Sequence, residues 1–494
     1  MSRFILSFAL CVGAASCQSV RVEQGLLEGT TGTDPQIRVY KGLPYAAPPA
    51  SWTGTRKADQ FSQVCMQAPY PATSIYYSEP SPMSEDCLYL NVWTPAKSAD
   101  EKRPVMVWVH GGALTRGAGS TPTYDGEALA KKGVVLVTIN YRLGVFGFFA
   151  HPALTKESAH HSSGNYGLLD QIAALQWVRK NIAAFGGDPE RVTIFGESAG
   201  SWSVNYLMAS PLAKGLFHRV IGESGGAFGE MQKLAQVETS GAKLGSLEAL
   251  RAKPADELLK TLGAFPPNVD GWLLPTDVRT IFAKGKQNDV PLLAGSNANE
   301  GTTLAPWPAT SKPEDFVAEA QRRFGNRADE VLKLYPSSTL DEARTSHYDL
   351  YRDVAFGWQM RTWVRLQTKT GKSNAYLYRF SRVSPGAQKS GVGAYHAAEI
   401  AYVFQTLNPN RPFQIRDFEL ADQMSSYWVN FAATGNPNGK GLPPWPAYRA
   451  NSDMAVEFGD TIHEIKGLDK PALDLIDRLL APAENTQALP GSKE

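Results

Sequence analysis

Three apolar runs constrain what this chain can fold into. Residues 105–109 (VMVWV), 134–139 (VVLVTI) and 191–195 (RVTIF) do not alternate between apolar and polar. A strand with one wet face alternates; a continuous, β-branched run is buried on both faces, as in a parallel sheet covered by helices. Between the second and third runs, residues 170–178 (DQIAALQWV) carry helical spacing, and residues 198–208 form a second helical segment after the third run. Strand, helix, strand, helix predicts a doubly wound α/β sheet, central and mostly parallel, with helices on both faces. Residues 229–290 and 312–370 read as mainly helical and are predicted to be cap insertions on that core. Residues 291–295 and 374–378 are predicted as later strands, and the Gly- and Ser-rich residues 384–393 as a loop.

The composition excludes some partners. With 49 basic and 48 acidic residues the formal net charge is +1, so neither nucleic acid nor an acidic membrane surface is indicated. Length alone, at 494 residues, would suggest several domains, but large single-sheet enzymes exceed that expectation. The N-terminus reads as an export signal: Arg3, an apolar run over residues 4–15, then the small Ala14, Ala15 and Ser16. The predicted organisation is a signal peptide over residues 1–17 and one domain over 18–494, in a secreted or periplasmic protein. Cys17 follows the small residues directly, which also resembles a bacterial lipoprotein signal with a lipid anchor at Cys17, although Ala14 stands where Leu is usual. No other apolar stretch is long enough to span a bilayer. With Cys11 in the signal and Cys17 at its end, Cys65 and Cys87 remain as a natural pair. An oxidising compartment would bridge them, a constraint of roughly 3 kcal/mol. No Cys or His lies at metal-ligand spacing around them, and the adjacent His160 and His161 point apart, so no metal or cofactor is expected.

The chemistry centres on Gly196-Glu197-Ser198-Ala199-Gly200, where a predicted strand meets a predicted helix. A tight turn there exposes the Ser hydroxyl above a sheet, with the helix N-terminus behind it to favour developing negative charge. This pattern predicts Ser198 as the nucleophile of an α/β-hydrolase fold. His110-Gly111-Gly112-Ala113 follows the strand at 105–109, where the same fold places its other oxyanion donors. The donors are assigned to the N–H groups of Gly112, Ala113 and Ala199, and His110 to loop anchoring. The fold's order of nucleophile, acid, then His restricts the base to His347, His396 or His463. His396, in a glycine-led loop running into a helical segment, is favoured. The acid stays open on these grounds. Glu300, just past the predicted strand at 291–295, is one of many carboxylates between Ser198 and His396.

From about Val20 to about Lys466 the chain resembles the type-B carboxylesterases, the group that includes cholinesterases. The resemblance rests on residues 40–46 (YKGLPYA), 84–93 (SEDCLYLNVW), 140–144 (NYRLG) and 164–171 (GNYGLLDQ). It implies a Ser198–Glu300–His396 triad, oxyanion donors at Gly112, Ala113 and Ala199, a first disulfide at Cys65–Cys87, and Ser224 as a supporting Ser near the base. It also implies a structural Arg142–Asp170 ion pair. The implied activity is hydrolysis of small carboxylic esters through an acyl-enzyme, without cofactor. A non-catalytic adhesion or scaffold role would go with a lost nucleophile, and Ser198 is present. Cholinesterases carry a Trp ahead of the acidic residue that is here Glu85, and this chain has Tyr77 in that place; together with few cysteines, this points to a bacterial-type general carboxylesterase. Leu114, Trp202, Phe228, Tyr395 and Phe404 are expected to line the site and to favour bulky or aromatic esters.

Overall fold

The computed structural model describes residues 19–46, 52–79 and 81–480. The predicted signal and Cys17 lie outside them. The centre is an 11-stranded mixed sheet. Its strands are β1 (Thr30–Thr31), β2 (Arg38–Pro44), β3 (Tyr89–Thr94), β4 (Arg103–Val109), β5 (Val135–Ile139), β6 (Gly187–Glu197), β7 (Arg219–Glu223), β8 (Leu292–Asn297), β9 (Ala375–Phe380), β10 (Met454–Phe458) and β11 (Ile462–Lys466). They lie in the order β11-β10-β9-β8-β7-β6-β4-β5-β3-β2-β1. Neighbours from β10 across to β5 pair in parallel, and the outer pairs at both edges are antiparallel.

The three apolar runs became β4, β5 and β6, and both faces of each are buried. On one face Val105, Val107, Val109, Val137, Val192 and Ile194 pack into one apolar cluster. On the other, Met106, Trp108, Leu136 and Phe195 pack into a second. Period-two alternation divides each run between two helical layers, and two dry faces remove the alternation of apolar with polar; even Thr138 and Thr193 are buried. The first layer contains α1 (Tyr166–Asn181) and α2 (Ala199–Ala209), and the second is dominated by α5 (Ile415–Thr434).

Helical insertions separate β7 from β8 and β8 from β9, as predicted. The second of these includes α3 (Leu340–Arg352) and α4 (Trp358–Thr370), joined by a π-helical turn over Asp353–Gly357. The segment 384–393 is not a plain loop: it holds a short helix, Pro385–Ser390. The Ser384 hydroxyl accepts from the Ala387 N–H and Pro385 occupies the first turn, so a helix-start signal overrides the glycines. Cys65 and Cys87 are bridged, and a two-stranded parallel ribbon, Val64–Cys65 with Met83–Ser84, closes the base of their loop. Arg142 and Asp170 form the ion pair that the resemblance implied, at 2.6 Å. Among the described residues, no helix is long and apolar enough to cross a membrane.

Candidate functional site

The site lies where β4, β6, β7 and β8 end. Ser198 sits between β6 and α2 with φ 56° and ψ −121°, a conformation that a non-glycine residue adopts only when its surroundings impose it. The Ser198 N–H donates to the Glu223 carbonyl of β7 at 2.8 Å, and its own carbonyl accepts from Trp202 N–H in α2 at 3.0 Å. Close packing requires the flanking glycine: a Cβ on Gly200 would stand 1.9 Å from the Val109 carbonyl oxygen. Ser198 remains half-buried while its neighbours are buried.

The segment predicted to supply oxyanion donors follows β4. Gly112, Ala113 and Leu114 have φ of 102°, 56° and 59°, three successive residues at positive φ. Among the described residues no main-chain carbonyl accepts from the N–H of Gly112 or Ala113. Ala199 is the first residue of α2, where an N–H has no partner within the helix. His110 is buried beneath this segment, stacked on Tyr141 with centroids 4.5 Å apart. Its Nδ1 lies 2.8 Å from the Gly111 carbonyl, and the Tyr141 hydroxyl donates to the His110 carbonyl at 2.8 Å. Burial pushes the imidazole down to about 4, so it is uncharged and serves as an anchor, as predicted.

His396 and Glu300 meet. The His396 Nδ1 is 2.6 Å from Glu300 Oε2, and both side chains are buried. Glu300 Oε1 accepts from the Ser224 hydroxyl at 2.6 Å and from the Asn297 N–H at 2.7 Å. Ser224 touches Glu300, which in turn touches the His396 imidazole. The other two histidines lie elsewhere. His347, on α3, is half-buried, and its ring bridges Glu319 at 3.0 Å and the Ala305 carbonyl at 3.2 Å. His463 is half exposed on edge strand β11.

Some groups at this site were not anticipated from sequence. His396 Nε2 lies 3.1 Å from Glu197 Oε1, an ion-pair distance without hydrogen-bond alignment, since that oxygen has no hydrogen-bond partner. Among the described residues no hydrogen bond joins Ser198 to the imidazole; such bonds are commonly long until substrate is bound. Glu197 and Glu223 are paired in register on adjacent parallel strands, which places two carboxyls side by side. Trp428 of α5 donates to Glu223 at 2.8 Å, and Glu399, three residues beyond His396, receives an Asn297 amide hydrogen. Burial pushes Glu197 and Glu223 well above the usual carboxyl range and Glu399 up to about 7. For His396, burial favours the neutral ring, but the Glu197 and Glu300 carboxylates outweigh it and raise the imidazole to about 9; the imidazolium in turn lowers Glu197, so His396 and Glu197 favour each other's charged form. The x of G-x-S-x-G and the residue one helical turn past the His were the available signals; neither shows burial in a sequence.

The expected aromatic lining is partly corrected. Phe404 stacks on Phe195 and meets Trp108 edge-on in the second-face core, and Phe228 packs on Phe282 and Trp363 in the first, so both are core residues. The rings beside His396 are instead Phe356, from the π-helical turn (centroids 5.0 Å apart), and Tyr76, from the disulfide loop (6.4 Å).

The chain is similar to known proteins over nearly its whole length. Residues 16–474 match the carboxylesterase family. Para-nitrobenzyl esterase of Bacillus subtilis (strain 168) is 36% identical, over 87% of this chain and 92% of its own. Fumonisin B1 esterase of Sphingopyxis macrogoltabida is 35% identical, over 90% and 87%. A solved PNB esterase structure superposes with a TM-score of 0.81 at 33% identity, covering 95% of this chain and all of that one. The fold is therefore that of the α/β-hydrolases, and the chain belongs to the carboxylesterase family as a carboxylic ester hydrolase.

Proposed function

We propose that this carboxylic ester hydrolase works through an acyl-enzyme on Ser198, with His396 as base and Glu300 as its partner. The observation that carries the reading is the buried Glu300–His396 pair beside a Ser held at φ 56° above the sheet. Glu300 accepts the Nδ1 proton and so fixes the tautomer that leaves Nε2 free to act. Ser198 Oγ attacks the ester carbonyl and its proton passes to Nε2. The N–H groups of Gly112, Ala113 and Ala199 hold the oxyanion, each worth about 3 kcal/mol in comparable sites. The imidazolium protonates the departing alcohol. Water then gives its proton to Nε2, attacks the acyl carbonyl, and releases the acid and the Ser198 hydroxyl. Ser224 and Asn297 hold Glu300 in place.

The test is covalent. A phosphonate ester is expected to label the protein once, on the peptide carrying Ser198, with loss of turnover in proportion. Label on another residue would refute the assignment. The named relative makes a para-nitrobenzyl ester the first substrate to try, beside short-chain and bulky esters.

The pH profile follows from the site electrostatics. A protonated His396 cannot take the Ser198 proton, so kcat/KM rises with pH, with its acid limb above the ordinary His value of 6.5 and toward 9. Glu197→Gln removes one of the two carboxylates that raise the imidazole. The limb then moves to lower pH by roughly one unit, read from kcat/KM against pH. An unmoved limb would show that Glu197 carries no charge toward the ring.

Residues 18–494 form one catalytic domain in this reading, and residues 1–17 are an export signal. The Cys65–Cys87 bridge supports an oxidising, secreted or periplasmic location.

A further inference from the structure

The oxyanion segment and the base come from different strands: residues 110–117 follow β4, and His396 lies after β9. The loop closed by Cys65–Cys87 touches both. On the oxyanion side, the Gln67 amide pairs with the backbone of Gly117: its Nε2–H donates to the Gly117 carbonyl at 2.9 Å, and its Oε1 accepts from the Gly117 N–H at 2.7 Å. The same Nε2 also donates to the Cys65 carbonyl at 3.0 Å, tying the pair to the disulfide. Gly117 has φ 111°, and a Cβ there would strike His110 Nδ1 at 2.4 Å, so this residue sits directly against the anchor of the oxyanion segment. The Arg116 guanidinium lies over the Tyr70 ring of the same loop, 4.8 Å from its centroid.

On the base side, the Tyr76 hydroxyl donates to the His396 carbonyl at 3.1 Å. It is 2.7 Å from Thr303 Oγ1. A phenol has one hydrogen, so with that hydrogen given to His396, Thr303 is the donor to Tyr76. The two neighbours of Tyr76 point outward: Ile75 is 48% exposed and Tyr77 38%. Only Tyr76 turns in, and its ring stands edge-on to the imidazole.

We propose that Gln67 and Tyr76 are positioning residues that hold the oxyanion segment and the His396 loop at a fixed separation across the mouth of the site, so that the disulfide loop is a clip on the reaction geometry. This rests on the Ser198–His396 reading above. Neither side chain touches the reacting atoms. Each acts through a backbone carbonyl or N–H, and a displacement of about 1 Å at such a point can cost up to ~100-fold in rate.

The test compares wild type with Tyr76→Phe, Gln67→Ala, Thr303→Val and Thr303→Ser. The readout is kcat per active site, with sites counted by phosphonate titration, alongside KM and Tm. Tyr76→Phe and Gln67→Ala are expected to lower kcat per titrated site by roughly tenfold each, with KM nearly unchanged. Thr303→Val falls between these and wild type, and Thr303→Ser, which keeps the hydroxyl, retains wild-type turnover. A purely structural role would change Tm or the number of titratable sites and leave kcat per site alone. Wild-type kcat per site in both Tyr76→Phe and Gln67→Ala overturns the proposal. If Tyr76→Phe does not fold, Gln67→Ala and Thr303→Val decide it in the same way. Ser198→Ala separates the two readings. If it still turns over ester, the nucleophile assignment has failed. If it is inert while the loop variants match wild type, only the clip has failed.

Discussion

Ser198→Ala is expected to leave a folded protein with ester turnover lowered by roughly 10⁴-fold or more. The substitution removes one oxygen from a half-buried position and adds nothing. The backbone strain at φ 56° remains, because the bonds that impose it are main-chain: Ser198 N–H to Glu223 and Trp202 N–H to the Ser198 carbonyl. The thermal midpoint is therefore expected to stay close to wild type, while the covalent step disappears. What remains is the stabilisation that the oxyanion donors give to direct attack by water, so the residual rate should stay above the uncatalysed one. Burst kinetics with an aryl ester and phosphonate labelling are the measurements. A variant retaining a tenth of wild-type turnover, or still taking the label, would place the nucleophile elsewhere.

Glu300→Gln should cost nearly as much, about 10⁴-fold in kcat, for a different reason. Glu300 is fully buried and accepts three hydrogen bonds, from His396 Nδ1, the Ser224 hydroxyl and the Asn297 N–H. A carboxylate can accept all three; a Gln amide offers one oxygen and one NH₂ in the same space. If the oxygen keeps Ser224 and Asn297, the NH₂ faces Nδ1, and the imidazole must carry its proton on Nε2, where it cannot serve as base. If the oxygen faces His396, the NH₂ meets two donors, a buried mismatch costing about 1–3 kcal/mol of stability. Either arrangement loses the negative charge that stabilises the imidazolium. Stopped-flow acylation rates and the thermal midpoint together tell the two apart. A loss of less than about tenfold would point to Glu399 as the acid, since Ser224 also reaches its carboxylate at 3.4 Å.

The sheet and the turn at Ser198 were legible in the sequence because their causes are local. A run such as VMVWV has no polar position and must be covered on both sides, and a Gly-x-Ser-x-Gly turn between a strand and a helix has few uses besides presenting a hydroxyl. Residues 384–393 show how local signals also mislead. The glycines suggested a loop, while Ser384 and Pro385 start a helix.

The acid could not be chosen by local pattern, because a carboxylate past a strand end looks the same whether it meets solvent or an imidazole. Residue chemistry left Glu300 among many carboxylates, and only the resemblance to a family singled it out. Phe228 and Phe404 illustrate the same limit: each is an aromatic near a motif, yet both pack into the core.

By itself, then, the sequence determined the strand–helix order, the turn at Ser198, the glycine-rich segment after β4 and the cysteines that could pair. The tertiary structure alone decided which further groups surround His396: Glu197 against Nε2, Phe356 beside the ring, and Tyr76 on its backbone carbonyl. Tyr76 and His396 are 320 residues apart, and Glu197 and Glu223 are side by side only because two strands pair in one register. Burial at such meeting points sets the charge of each group, and burial belongs to the packed chain, not to any segment of it.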